Sequence, residues 1–403
     1  MGCPELPKRE EDTHQEPEDV MAPRGMRIPV AEPDIGEEEL KLVSEAVRSG
    51  WVSSKGRFIE EFERGFADFV GMKYGVATSN GTVAIHLALV ALGIGPGDEV
   101  IMPDLTFASV GNAIIYTGAR PVFVDVHQSY WGMDPERVKE AITERTKAII
   151  VVHLYGHPCD LDPLLEVAED HGLYVIEDCA EAHGAEYKGR RVGSFGDIAC
   201  FSFYGNKIIT TGEGGMCLTN DYELAERMRM LRDHGMRPEK RYWHEVVGFN
   251  YRMTNLQAAL GVAQLRRIDE FIRKKIEIAR AYEAALDGIE GITLHPEMPW
   301  AKCVYWLYSI LVDEKAYGLS RDELKRRLAE EGVETRRFFY PMHVMPPYRP
   351  YLRQKQKFPV AERLASMGLN LPSGVKLSKD AVAYIADLIY RLHHEAKSGG
   401  GYG

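Results

Sequence analysis

Lys207 is the residue with the clearest chemical potential in the chain. It lies in Phe201-Ser202-Phe203-Tyr204-Gly205-Asn206-Lys207-Ile208-Ile209-Thr210-Thr211-Gly212-Glu213-Gly214-Gly215, between an apolar run and a Gly-rich turn. Within that stretch its only charged neighbour is Glu213. A surface lysine usually sits among other charges, so this setting predicts burial. Burial penalises the ammonium form, lowers the pKa and makes the amine a usable nucleophile. Three other features accompany it. Asp178 ends the run Tyr174-Val175-Ile176-Glu177-Asp178, where a strand end would aim a carboxylate into a crevice. Taken alone, Asp178 reads more readily as a helix cap. Ser79-Asn80-Gly81-Thr82 stands between a strand and a helix. Glycine allows close backbone approach, a helix N-terminus offers free N–H groups to an anion, and Thr82 adds a hydroxyl. Alone this is equally an ordinary helix start. Phe107, in Pro103-Asp104-Leu105-Thr106-Phe107-Ala108-Ser109, could stack on a planar ring or simply pack in the core.

The combination is more specific than its parts. An anion-binding helix end, a ring-stacking aromatic, a carboxylate and a buried lysine occur in that order. These are the groups needed to hold pyridoxal 5′-phosphate (PLP): phosphate, ring face, pyridinium nitrogen and a Schiff base to the lysine.

The elements that would position these groups alternate along the chain. Strands are expected at Tyr74–Ser79, Glu99–Met102, Pro121–Val126, Ala148–Leu154, Leu173–Asp178, Ile198–Phe203 and Gly215–Thr219. Helices are expected between several of them, at 82–92, 134–141 and 161–171. Near-continuous apolar strands separated by helices indicate a largely parallel sheet covered on both faces. Ligands of such sheets bind beyond the carboxyl ends of the strands. One long helical stretch, 255–286, should follow. A smaller α/β portion comes next, with a strand at Val304–Val312 and helices at 320–331 and 378–394. No internal repeat is visible.

At 403 residues the chain is long enough for two or three domains. A formal net charge of −11 argues against nucleic acid and against anionic membrane surfaces, but leaves room for a local anion site. The six cysteines form no CxxC pair and no zinc-type cluster, so no metal site is expected. Several lie in apolar runs, which suits a reducing compartment. No apolar run reaches membrane-spanning length. The N-terminus lacks a signal pattern, and Met1-Gly2-Cys3 is followed by Leu6 where a myristoylation site needs Ser or Thr. A cytoplasmic protein is expected. Residues 1–26 are acidic, Pro-containing and poor in large apolar side chains, which predicts a disordered tail.

Over about Arg27 to Ala396 the chain resembles the sugar aminotransferases of the DegT/DnrJ/EryC1/StrS family. The match is carried by Gly50-Trp51-Val52-Ser53-Ser54, Asn80-Gly81-Thr82, Ile176-Glu177-Asp178-Cys179-Ala180-Glu181-Ala182, the Lys207 segment, Gly248-Phe249-Asn250-Tyr251-Arg252-Met253-Thr254-Asn255 and Pro341-Met342-His343. The resemblance implies an aspartate-aminotransferase-like PLP fold type I. That fold has a large domain with a mostly parallel seven-stranded sheet, plus a smaller C-terminal α/β domain. The implied bounds are a disordered tail 1–26, a large PLP-binding domain 27–265, a small domain 266–396 and a flexible tail 397–403.

Roles follow from the same resemblance. Lys207 matches the Schiff-base lysine, Asp178 the pyridinium partner and Phe107 the ring-stacking aromatic. Gly81, Thr82 and Ser202 match phosphate contacts. Asn250 matches a residue that reaches the phosphate across a dimer interface, which implies a homodimer with shared active sites. Ser53 matches a loop near the nucleotide-sugar pocket, and His343 a residue near the site. Many members have Gln or His where this chain has Glu181, near the cofactor's phenolic oxygen. A carboxylate there would repel a phenolate, so Glu181 is expected to face the sugar.

Within the family, the Lys207 segment, Arg241-Tyr242-Trp243 and the stretch from Pro341 to Tyr348 are most similar to particular members. Those members transfer the amino group of L-glutamate to C4 of GDP-4-keto-6-deoxymannose, for glycans such as O-antigen. The same chemistry on a UDP- or dTDP-linked keto-sugar remains open. So does a PLP-binding regulatory protein without turnover. A dinucleotide-dependent oxidoreductase ranks last, because no GxGxxG follows a first strand.

Overall fold

The computed structural model describes residues 27–399, apart from residues 238 and 355. The expected tail 1–26 and residues 400–403 lie outside the described residues.

Each expected strand of the large sheet forms. They are β1 (Tyr74–Thr78), β2 (Glu99–Pro103), β3 (Arg120–Val124), β4 (Thr146–Val152), β5 (Tyr174–Asp178), β6 (Ile198–Ser202) and β7 (Gly215–Thr219). The sheet has seven strands in the order β1-β7-β6-β5-β4-β2-β3. β7 runs antiparallel to β1 and β6, and the other pairings are parallel. The carboxyl ends of β1, β5 and β6 therefore share one edge with the start of β7. Every residue of β2, β6 and β7 is buried, which explains why their interiors are apolar. The helix Gly81–Ala91 has Ala84 to Leu89 buried in succession, as a helix enclosed on several sides must.

A second sheet is antiparallel, with Tyr308–Val312 and Gly368–Leu371 at its centre and Ile292–Thr293 and Arg336–Arg337 at its edges. It has its own apolar cluster, built from the helix Ile268–Leu286, this sheet and the helices Arg321–Glu330 and Lys379–Gly399. Phe338, Met342, Tyr348 and Phe358 cross back and join the core of the large sheet.

Two expectations change. The stretch 255–286 is two helices, Asn255–Arg266 and Ile268–Leu286, meeting at Arg267. Arg267 leaves helical geometry (φ −108°, ψ 3°), and its guanidinium pairs with Asp34 at 2.8 Å and Glu39 at 3.5 Å. The strand expected over Val304–Val312 begins only at Tyr308. The preceding residues are irregular, with Tyr305 at φ 48° packed against Gly156, where a Cβ would meet the Tyr305 nitrogen at 2.7 Å.

The edge that carries the strand ends is held by Glu177. Its carboxylate is fully buried and accepts from the backbone N–H groups of Gly193, Phe195 and Gly196, each at 2.7 Å. The His153 ring nitrogen Nε2 lies 3.2 Å from it. Burial alone would raise the pKa of Glu177. His153 and the amides outweigh burial and hold it below the usual carboxylate value. Glu177→Ala strands three buried amides, so a loss of about 3–5 kcal/mol of unfolding free energy is expected. Urea unfolding measures it, and a loss under about 1 kcal/mol, the scale of an ordinary substitution, contradicts the clasp.

Candidate active site

The site grows from three strand ends. Beyond β1, Asn80 caps the helix Gly81–Ala91, its side chain accepting from Val83 N at 3.0 Å. The amides of Gly81 and Thr82, in the first turn, have no intrahelical partner. A Cβ on residue 81 would sit 2.7 Å from the Cβ of Ser202, so only glycine lets the helix start approach the end of β6 this closely. Ser202 thus faces the open turn, its hydroxyl accepting from Tyr204 N at 3.4 Å.

Asp178 ends β5 opposite Cys200 of β6. Its Oδ1 accepts from Ala180 N at 3.0 Å. Burial pushes its pKa up, against the Ala180 bond and the nearby Lys207 charge.

Lys207 follows β6 in a turn closed by its own N–H to Tyr204 O at 2.9 Å. Its side chain is about nine-tenths buried, as the sequence led one to expect. Nζ lies 3.7 Å from Glu181 Oε1 and 3.7 Å from the centre of the Trp306 ring. Burial draws the amine pKa down, while Glu181 and Asp178 draw it up, and burial wins. Glu181 is buried too, and its Oε2 accepts from Tyr155 N at 2.8 Å. Burial pushes its pKa up to about 7, against the pull of Lys207. Both partners are shifted away from their charged forms by the same cause.

Tyr155 aims its amide at Glu181 from a left-handed backbone, φ 52°. Such a conformation costs a non-glycine residue roughly 1–3 kcal/mol and persists where surrounding packing dictates it. Its hydroxyl accepts from Phe339 N at 3.1 Å, and its ring lies nearly parallel to Trp306, centroids 6.2 Å apart. Trp306 Nε1 donates to Asn206 O at 2.8 Å.

The pattern of the DegT/DnrJ/EryC1/StrS aminotransferase family matches residues 33–390. The chain belongs to this family. It is similar to the GDP-perosamine synthase of Escherichia coli O157:H7, with 47% identity over 368 residues, 91% of this chain and 99% of that one. It is 49% identical over 356 residues to the GDP-perosamine synthase of Caulobacter vibrioides, covering 88% and 95%. Among solved structures, DesV of S. venezuelae in complex with a ketimine intermediate superposes with TM-score 0.83 at 38% identity, over 88% of this chain and 94% of that one. A Streptococcus pneumoniae protein in its PLP form gives 0.87 at 29% identity, over 92% and 100%. The fold is that of the PLP sugar aminotransferases, and PLP is the cofactor of this family.

Phe107 follows β2 and is 56% exposed, its ring 5.6 Å from Phe339. The segment bearing Asn250 runs beside the end of β1, with Ser79 N donating to Tyr251 O at 2.8 Å. Asn250 itself is exposed, and its Oδ1 accepts from Arg252 at 2.9 and 3.2 Å. Ser53 is exposed, and its carbonyl accepts from Asn255 N at 2.6 Å. Beside it opens a cavity of about 990 Å³ lined by Trp51, Ser54, Lys55, Arg57 and Arg229, with Lys207 not among its walls. His343 is held by Asp104, ring Nδ1 to carboxylate 2.6 Å, with Glu362 3.2 Å from Nε2. The Asp104 bond raises the His343 pKa. Among the described residues, no hydrogen bond or ion pair links Asn250, Ser53 or His343 to Lys207.

Trp306 and Tyr155 escaped the sequence reading. Tyr155-Gly156 follows β4, and a strand-end loop is a place to look. Trp306 carried no such signal, because it lies in the irregular stretch that leads into the other sheet. His153, Glu177 and Cys179 cluster closely enough to suggest a metal. Glu177 spends both oxygens on amides, however, and His153 Nδ1 accepts from Cys159 N at 3.1 Å, so the group is a structural network.

The raised pKa of Glu181 has a stability consequence. Between about pH 4.5 and 7 the folded chain holds a proton there that the unfolded chain releases, so this group makes stability fall as pH rises. In Glu181→Gln that decline disappears. Unfolding free energies measured across the window should shift steadily in favour of the variant, and parallel profiles would show that Glu181 ionises at the ordinary carboxylate pH.

Proposed function

We propose that the chain moves the amino group of L-glutamate to C4 of GDP-4-keto-6-deoxymannose, giving GDP-perosamine and 2-oxoglutarate for glycan (O-antigen) synthesis. The observation that carries this is a buried Lys207 amine 3.7 Å from Glu181 and under the charge of Asp178, with the helix start at Gly81 packed against Ser202 at the end of the strand that precedes this lysine. The choice of sugar is supported by relatives named GDP-perosamine synthase at 44–49% identity.

The residues present fit PLP. The unpaired amides of Gly81 and Thr82, with the Ser202 hydroxyl, suit its phosphate. The gap left by glycine at position 81 brings these groups together. Asp178 suits the ring nitrogen, Phe107 the ring face, and Lys207 the aldehyde carbon. When bound, PLP supplies an electron sink for carbanion chemistry. The rest falls to the chain. Asp178, buried with one amide bond, keeps a proton on the ring nitrogen. Lys207, once free, takes the α-proton of glutamate in the first half-reaction and returns a proton to C4 of the sugar in the second. Burial lowers its pKa and so favours the free amine that a base needs. Glu181 stands beside that amine, where it also borders the space for the sugar. Trp306 and Tyr155 exclude water from the amine.

We further read the enzyme as a cytoplasmic homodimer, with residues 27–265 as the PLP-binding part and 266–396 as the smaller one. Tyr242, Trp243 and Val247, exposed by 73%, 52% and 91%, form an apolar stretch just before Asn250. That exposed stretch supports a second copy covering this face, so that Asn250 reaches the partner's phosphate site, while Ser53 lies near the nucleotide-sugar pocket. No helix among the described residues is long and apolar enough to cross a membrane. The same chemistry on a dTDP-linked sugar is the second reading. A 38% identical relative from Streptomyces venezuelae is named dTDP-3-amino-3,4,6-trideoxy-alpha-D-glucose transaminase.

Purified protein, PLP and L-glutamate should convert GDP-4-keto-6-deoxymannose to an amine whose mass is that of GDP-perosamine. Conversion of a dTDP- or UDP-linked keto-sugar instead would overturn the sugar assignment and keep the transaminase. Lys207→Ala should lower turnover by roughly 10²–10⁴-fold or more, since it removes both the anchor and the base. Turnover at the wild-type rate would refute the role of Lys207.

A further inference from the structure

Lys275 is a buried basic side chain that the proposed mechanism leaves unused. It lies on the helix Ile268–Leu286 and is 4% exposed. Among the described residues its Nζ makes no ion pair with a carboxylate. It donates to the carbonyl oxygens of Trp306 and Ser373, each at 2.8 Å. Burial draws its pKa down to about 7. A neutral amine has two N–H groups, which matches two carbonyl acceptors.

Both carbonyls belong to segments that lack a strand partner. Residues 303–307 are irregular, with Tyr305 in the left-handed region. Ser373 follows Gly368–Leu371, its N–H donating to Val30 O at 2.8 Å and its hydroxyl accepting from Tyr308 N at 2.7 Å. Buried carbonyls outside a ladder must find donors elsewhere, and Lys275 supplies them. The consequence reaches Lys207. Trp306 is held at three points: its carbonyl by Lys275, its indole N–H by Asn206 O, and its ring by Tyr155. Its indole face lies over the Lys207 amine, and Asn206 is the residue before that lysine.

We propose that Lys275 is a positioning residue for the reaction: by binding the Trp306 and Ser373 carbonyls it holds the Trp306 indole over the Lys207 amine. This rests on the reading that Lys207 carries the cofactor. The indole face stabilises the ammonium form by a cation–π interaction. Lys275 thereby sets how readily the Lys207 amine sheds its proton, although it never touches that amine.

The test uses the full-length chain stripped of cofactor, with PLP as the probe. Covalent capture at Lys207, followed by absorbance and by borohydride trapping, has a pH–rate midpoint that reports the amine. Lys275→Met and Trp306→Phe should each move that midpoint to lower pH, by about 0.5–1 unit, the scale of a desolvated cation–π contact. In the reloaded enzyme each should lower kcat by about tenfold with little change in either KM, which corresponds to losing an interaction felt in the transition state. The double variant should be no worse than the more impaired single variant, because the two residues act through one contact. A wild-type midpoint and kcat in Lys275→Met overturns the proposal, as do effects that multiply in the double variant. Should Lys275→Met fail to fold, Lys275→Gln keeps a donor and enters the same cycle. Loss of fold in both makes Lys275 a determinant of the fold alone and overturns the positioning role. Absence of capture by the wild-type chain is a different failure. It removes the cofactor reading of Lys207 itself, and this proposal with it.

Discussion

A lysine amine cannot be kept from water without company, and the site is built around that constraint. Lys207 has an indole face on one side and a carboxylate on another, each 3.7 Å away. Neither contact is a close hydrogen-bonded ion pair, and burial dominates both partners. It draws the lysine towards the free amine and Glu181 towards the neutral acid. A pair held in this way keeps its proton loosely. That is the property a base needs if it must give up and recover a proton twice in one catalytic cycle.

The sheet delivers this arrangement through a division of labour between adjacent residues. Successive side chains on a strand point to opposite faces. Glu177 and Asp178 end β5 side by side, so one turns to each face. Glu177 ties down the loop 193–196 with its amide bonds, and that fixes the edge from which Asp178 and the next strand end project. The structural carboxylate is saturated with donors and its pKa is lowered. The neighbouring one has a single amide bond and its pKa is raised. Equal burial with unequal hydrogen bonding separates a clasp from a reactive group.

Local patterning explains what could be read in advance. The strands of the large sheet have largely apolar interiors because both faces are covered, and that signal needs no knowledge of partners. Lys207 stood out because its neighbours were uncharged, and Gly81 because a helix began there. The break at Arg267 was hidden, since its cause lies in Asp34 and Glu39, more than 200 residues earlier. The start of the strand at Tyr308 was hidden for the same kind of reason. Val304 to Leu307 looks apolar enough for a strand, but Gly156 from the other sheet presses on it. The Lys207 environment was thus half legible. The carboxylates are near it in sequence, whereas the indole arrives from a different core.

A boundary at 265/266 separates Lys207 from Trp306, from Lys275, and from Phe339, which binds the Tyr155 hydroxyl. The left-handed residues Tyr155 and Tyr305 flank the contact between the two sheets, at Gly156. Val304 N donates to Gly156 O there at 3.1 Å. Strain of this kind persists only where surrounding structure holds it, and here each sheet's loop holds the other's. The two cores therefore cannot be assigned separate tasks, one for cofactor and one for support. The first supplies the amine and the carboxylates. The second supplies the indole face that lies over that amine and fixes how readily it sheds its proton.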